Sequence, residues 1–365
     1  MDFTAPISQL NPLPGPLQDL RVKAMNYAKE TGLPTRKNED WKYTSVKELG
    51  EASFQAAALQ AIHPGHDTLK MLGNDLAADC YRVVFINGML DKTLSTLEDL
   101  PETVEWSASP EKTLSSADPQ FENSFQALNV AYSSQGLWIK IAKETSLPKP
   151  IQIHFHTTSE GQGSLMVHPR VKIQVGQRSV VRILESYSSQ GQETAKHLTN
   201  ASTEIEMEEA VRVLHVRLQD EDLASFHIGE TTYLTKKACE LTSLVISSGA
   251  HLFRHHLRLP LDESGVKAKV LGLSVSTGSQ HVDNTTDIDH RVGACDTEQI
   301  YKSLLDGESR AVFNGRIYIR PQAQKANSSQ LNNNLLMSSK AEADSQPQLM
   351  IEADDVKAAH GSTVG

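Results

Sequence analysis

The sequence runs to 365 residues, with 35 Lys and Arg against 45 Asp and Glu, a formal net charge of −10 and 39% hydrophobic residues. That balance argues against a nucleic-acid partner, because phosphate binding needs clustered Lys and Arg. No apolar run approaches the roughly 20 residues of a membrane span, and the first seven residues carry no basic segment leading into an apolar one, against a secretory signal.

The first 130 residues read as mostly helical. Leu17, Leu20, Ala24 and Ala28 recur at helical spacing, Gly32 stands where a C-terminal cap would, and Pro34 blocks continuation. Ser45 and Glu48 have the spacing of a capping box, and Gly50 keeps any helix there short. Residues 81–87 form a lone strand ending in the turn pair Asn87-Gly88, and residues 101–125, rich in Pro, Glu, Ser and Asp, read as a connector. Phe125, Leu128, Asn129 and Tyr132 predict two helical turns stopped by Gly136.

From residue 131 to 365 the pattern is β. Short β-branched runs recur at 137–141, 151–155, 171–175, 180–184, 211–218, 228–234, 241–246, 257–261, 266–273 and 312–319. So many strands without a helical period exclude a doubly wound sheet and fit a solenoid in which each turn buries the next, although no fixed-length repeat is visible. Asn327 and Asn332-Asn333-Asn334 are expected at tight corners, where Asn tolerates left-handed backbone.

The chemistry-bearing motifs are sparse. There is no Gly-Lys-Ser/Thr phosphate loop, no His-Glu-x-x-His, no Cys-x-x-Cys and no Gly-x-Ser-x-Gly, and Gly161-Gln-Gly163 lacks the third glycine of a dinucleotide fingerprint. Cys80, Cys239 and Cys295, odd in number and widely spaced, speak against a disulfide framework and fit a reducing cytoplasm. Glu204, Glu206, Glu208, Glu209, Asp220, Glu221 and Asp222 read as a solvated acidic face. His281, Asp283, Thr285, Asp287 and Asp289 share one strand face, with Val282 and Ile288 on the other; a solvated face is favoured over a metal site. His255 shares parity with Phe253 and Leu257 as a core histidine, whereas His256 joins Arg254 and Arg258 outside. Near the end, Leu349, Ile351 and Ala353 can face a core along a strand running into Asp354-Asp355. His360 then follows that strand end among Ala358, Ala359, Gly361 and Ser362, where nothing bulky blocks a partner or metal.

Several ordered blocks resemble the SufB/SufD family, the scaffold subunits of the SUF iron–sulfur cluster assembly system. They are Asn38-Glu-Asp-Trp-Lys-Tyr-Thr44, Gln280-His281 through Thr285-Thr286 to Asp289-His290, Tyr301-Lys302, Val312-Phe-Asn-Gly-Arg316, Ala323-Gln-Lys325, Gln330, Asn332, Asn334-Leu-Leu-Met-Ser338 and Pro347 through Gly365. The resemblance implies a right-handed parallel β-helix with a helical N-terminal region. It also implies a non-catalytic scaffold that pairs with SufB, works with the ATPase SufC, which would bind the ATP, and holds an iron–sulfur cluster only transiently in their complex; alone, the chain is expected to form a homodimer. The histidine of the family's Lys-x-x-His-Gly block, here His360, is implied as a cluster ligand at the partner interface. Many relatives carry cysteine just after that lysine, where this chain has Ala358, so no thiolate is available there. The family's C-terminal helical segment, which docks SufC, is expected to be absent from this sequence, which stops at Gly365. Two other readings use the same residues: a β-helix polysaccharide-active enzyme with Asp283, Asp287 and Asp289 as its carboxylates, or a purely structural homodimeric β-helix.

Overall fold

Side chains alternate along a strand, so a chain that keeps one parity apolar or self-paired can stack turn upon turn around a narrow interior. This chain does so in a computed structural model that describes residues 10, 12–57, 79–114, 120–158, 163–190 and 196–365. The first seven residues and Gly161-Gln162 lie outside the described residues. Two sheets alternate along the chain. The first runs through Val104–Ser107, Leu137–Ile141, Arg170–Val175, Leu198–Met207, Phe226–Thr235, Leu252–Leu261, His281–His290, Arg310–Ile319 and Glu342–Ile351. The second runs through Met89–Asp91, Tyr81–Ile86, Ile151–Thr158, Val180–Gln190, Arg212–Asp220, Glu240–Ser247, Lys267–Ser276, Asp296–Leu305, Asn327–Leu336 and Lys357–Val364. Successive strands of each sheet pair in parallel and come from successive turns, which makes a parallel β-solenoid of about seven turns.

The missing sequence repeat has a geometric reason. Register partners in the first sheet are 26 residues apart from Phe226 to Leu252 and 32 apart from Arg310 to Glu342, so the strands repeat while the connections do not. The corners also differ from expectation. Arg178, Ala210, Ala238, Gly265, Ala294 and Lys325 all have positive φ, and each stands two residues before a second-sheet strand. Left-handed backbone costs a non-glycine residue about 1–2 kcal/mol. A hydrogen-bond ladder between turns offsets that cost: Ala210 N–H donates to Lys237 O at 2.9 Å, Ala238 to Ser264 at 3.1 Å and Ala294 to Gln324 at 3.0 Å. The asparagines expected at corners lie instead inside strand Asn327–Leu336, with Asn332 and Asn334 buried in the interior.

The N-terminal elements follow the sequence reading with three changes. Helix α1 (Pro16–Thr31) buries Leu17, Leu20, Ala24 and Ala28 and closes at Gly32, whose N–H reaches Ala28 O. The short helix α2 (Lys47–Glu51) has Val46 as its N-cap, while Ser45 Oγ accepts from Lys47 N–H at 3.3 Å. Strand Tyr81–Ile86 is not alone: Asn87 and Gly88, both at positive φ, turn it into a hairpin with Met89–Asp91, and its other edge joins Ile151–Thr158. The stretch read as a connector contains strand Val104–Ser107 and a helical turn, Pro110–Thr113. Helix Ser124–Tyr132 and α1 pack with Trp41 and Leu49 onto Leu198, Phe226, Ile228 and Leu252, which covers the outer face of the first sheet.

Candidate functional site

The last turn of the second sheet carries the chemistry expected of the chain's end, but its geometry differs from the sequence reading. The strand through Leu349 ends at Ile351, and a separate strand, Lys357–Val364, follows. His360 is therefore in mid-strand, not in a turn after one. Gly361 and Ser362 are weak strand formers, so the local sequence hides this element. Parallel pairing with Asn327–Leu336 supplies what propensity does not. In register, Ala358, His360, Ser362 and Val364 stand over Ser328, Gln330, Asn332 and Asn334, all buried. His360 thus has interior parity, yet it is exposed, because no strand lies beyond this one among the described residues. Ala358, Val356 and Leu349 pack on the core and Ala353 is buried, whereas Ile351 and Val364 are 44% and 50% exposed. Ser362 Oγ donates to Ser345 Oγ of the first sheet at 2.8 Å, which ties the last strands of the two sheets together.

The cluster on strand His281–His290 performs a different task. Asp283 accepts from Arg254, Thr44 and Thr285; Asp287 holds His256 and Arg316; Asp289 holds Arg291 and Arg320. None of the three carboxylates is free for acid–base work. Thr44 Oγ1 is also 3.0 Å from His281 Nε2, Asp40 pairs with Arg316, and the Arg254 guanidinium lies 4.1 Å from the Trp41 ring. The block at residues 38–44 and the block at 280–290 thus meet: the first pins the N-terminal region to the outer face of the solenoid. Burial opposes the charge of Asp287, but hydrogen bonds from His256 and Arg316 outweigh it and hold the carboxyl well below its ordinary range. Burial lowers His281 to about 4. His255 is buried, 2.9 Å from Thr231 Oγ1, as its parity indicated.

Sequence reasoning missed a buried ionic network in the middle turns. Glu185, fully buried, accepts from Arg217 at 2.8 Å, lies 3.1 Å from His215 Nε2 and is hydrogen-bonded by Tyr187 and Thr203. Arg217 also reaches His227, whose Nδ1 is 2.6 Å from Glu221. Burial disfavours the Glu185 carboxylate, but the Arg217 charge and the His215 and Tyr187 bonds hold it well below its usual range. Glu221, assigned above to a solvated acidic face, is 4% exposed and belongs to this network, while Glu204 and Glu206 pair with Lys172 at 2.8 and 2.7 Å. Strand parity at 185, 215 and 217 was the available signal, because all three share the inward face with Ile183.

Among the described residues no group of three or more His, Cys, Asp and Glu could hold a metal ion. Cys239 and Cys295 are buried at corners, with their thiols directed to the carbonyls of Glu208 and Glu263. No helix among the described residues is long and apolar enough to cross a membrane.

These features define a class: a parallel β-solenoid, pinned to a helical N-terminal region, whose last described turn presents one exposed imidazole. Comparison with known proteins is specific. Residues 155–365 match the family described as SUF system FeS cluster assembly, SufBD core domain, and residues 13–153 match the SufBD protein N-terminal region. An iron–sulfur cluster assembly SufBD family protein of Synechocystis sp. is 31% identical over 349 residues, covering 91% of this chain and 76% of that protein. The iron–sulfur cluster assembly protein SufD of Escherichia coli is 28% identical over 337 residues, 92% of this chain and 77% of that one. The chloroplastic protein ABCI7 of Arabidopsis thaliana is 24% identical over 365 residues, 96% and 75%. The chain belongs to the SufBD family of iron–sulfur cluster assembly proteins.

Proposed function

We propose that the chain is a non-catalytic scaffold subunit of cytoplasmic cluster assembly that pairs with SufB, works with the ATPase SufC and contributes His360 as one ligand of a shared, transient cluster. We take residues 1–130 as its N-terminal region and 131–365 as the solenoid core. The observation that carries this reading is an exposed imidazole with interior parity on a strand whose outer edge is unpaired among the described residues. A partner strand laid along that edge would satisfy its backbone groups and bring partner side chains over the ring. Ala358 shares the face of His360 two residues earlier and offers only a methyl group, so the remaining ligands would come from the partner as thiolates, which suit iron–sulfur clusters. Edge pairing with a second copy would also give the isolated chain a route to a homodimer.

The test is co-expression with the partner scaffold and the ATPase, followed by iron and sulfide analysis of the purified complex. His360→Ala should lower both at unchanged subunit stoichiometry. Full cluster content in that variant would remove the ligand role.

A further inference from the structure

Gln330 lies directly beneath His360 in the interior column of the second sheet and is 3% exposed. Its Nε2 donates to Gln299 Oε1, and Gln299 Nε2 donates to Thr286 Oγ1, so both amides give their N–H groups to earlier strands and the Gln299 carbonyl faces Gln330. The final carbonyl, Gln330 Oε1, is buried and has no partner among the described residues. Its amide is seated by design of the facing sheet: a Cβ on Gly315 would clash with Gln330 Nε2 and with the Phe313 ring, so only glycine leaves room. An unpaired buried carbonyl costs about 1–3 kcal/mol, so a donor for it is expected on the next turn.

That turn offers few donors. Ala358 has no side-chain donor, Pro347, the residue paired with Gly315, has no N–H, and the Ser362 hydroxyl is given to Ser345, which leaves the Ser345 hydroxyl as the one rival to His360. The register partner of Gln330 is His360, one strand spacing away at about 4.8 Å. Its imidazole forms no hydrogen bond within the described residues, and the register sets it over the Gln330 amide on the same face.

We propose that Gln330 is a positioning residue for His360: its carbonyl accepts one ring N–H, fixes the tautomer, and leaves the lone pair of the other nitrogen directed out of the solenoid toward a metal-bearing partner. Ligating histidines are commonly set in this way by a hydrogen bond from the second nitrogen. With Ala358 in place of a thiol, a pre-oriented imidazole is what this chain has to offer. The inference deepens, and rests on, the reading of His360 as a ligand.

Nitrogen-15 NMR of the histidine-labelled full chain at pH 8.5 reads the tautomer directly, with no metal present. Wild type should show His360 with a tautomer ratio displaced at least threefold from that in Gln330→Leu and Gln330→Met, while Gln330→Glu, which keeps an acceptor oxygen, should retain the wild-type preference. Unchanged resonances of the buried His255 and His290 certify the fold of each variant. The same ratio in wild type, Gln330→Leu and Gln330→Met overturns the proposal. Full cluster content in His360→Ala, by contrast, overturns the ligand reading and leaves the tautomer result standing.

Discussion

The two ends of the second sheet bury different chemistry on the same backbone. In the early turns the inward side chains are Ile151, Ile153, Phe155, Val181 and Ile183. In the late turns Thr297, Gln299 and Ser303 share the interior with Tyr301 and Leu305, and Ser328, Gln330, Asn332 and Asn334 follow. Between them lies the Glu185–Arg217 network. Aliphatic columns gain stability from area removed from water. The polar columns gain it from side-chain ladders such as Ser247 to Ser274 at 2.9 Å and Thr297 to Ser328 at 2.7 Å, which also fix the register. The difference has a consequence for exposed edges: an aliphatic interior is sticky where no strand covers it, whereas an amide- and hydroxyl-lined one tolerates water.

Acid should strain the solenoid along its length, since the buried His255 and His227 of the middle turns are lowered as well. Burial lowers His154 and His168, in or beside the early turns, to about 3, and His281 and His290, in the later turns, to about 4. Because these histidines stay neutral when folded, their contribution is complete above the unfolded value near 6.5. It is lost as pH falls toward 4, at about 1.4 kcal/mol per pH unit for each. Urea titrations at pH 7 and pH 5 should show a large loss of stability, and equal midpoints would break this account. Next in size, Arg217→Met leaves the Glu185 carboxylate buried without its cation and should cost about 3–5 kcal/mol by urea unfolding; a loss under 1 kcal/mol would show that the network relaxes. Gly272→Ala should cost about 1–3 kcal/mol, because its Cβ would run into the Tyr301 ring, and Tyr301→Val should relieve the effect. Smallest, Ser274→Ala removes the bond from Ser247 and that from Asn284 in the polar half and should cost about 1 kcal/mol by the same measurement. Together the last three rank the charged centre above the packed column and the hydroxyl ladder; a reversed order would mean that the polar turns hold the fold.

The strands found in the sequence were those with β-branched or aliphatic interior columns, such as Leu137–Ile141 and Arg310–Ile319. Among those it missed, Asp296–Leu305 and Asn327–Leu336 place mostly Ser, Thr, Gln and Asn inside, and Lys357–Val364 places Ala, His and Ser there, so hydrophobic alternation is weak. His360 was legible as an accessible imidazole from its small neighbours. Its place in a strand, and the orphan carbonyl below it, were not, because both depend on a register partner 30 residues away.

The sequence by itself determined the β-rich character from residue 137 onward, the helix closed at Gly32, the parity that buries His255, and the ordered blocks that assign the family. Only the tertiary structure decided that the 38–44 block clasps Asp283 and Arg254, that Glu221 is an interior ion rather than a surface one, and that His360 tops an amide column. The physical reason is the same in each case. Local propensity and alternation act over a few residues, whereas a solenoid joins residues one full turn apart, and those pairings exist only once the turns are stacked.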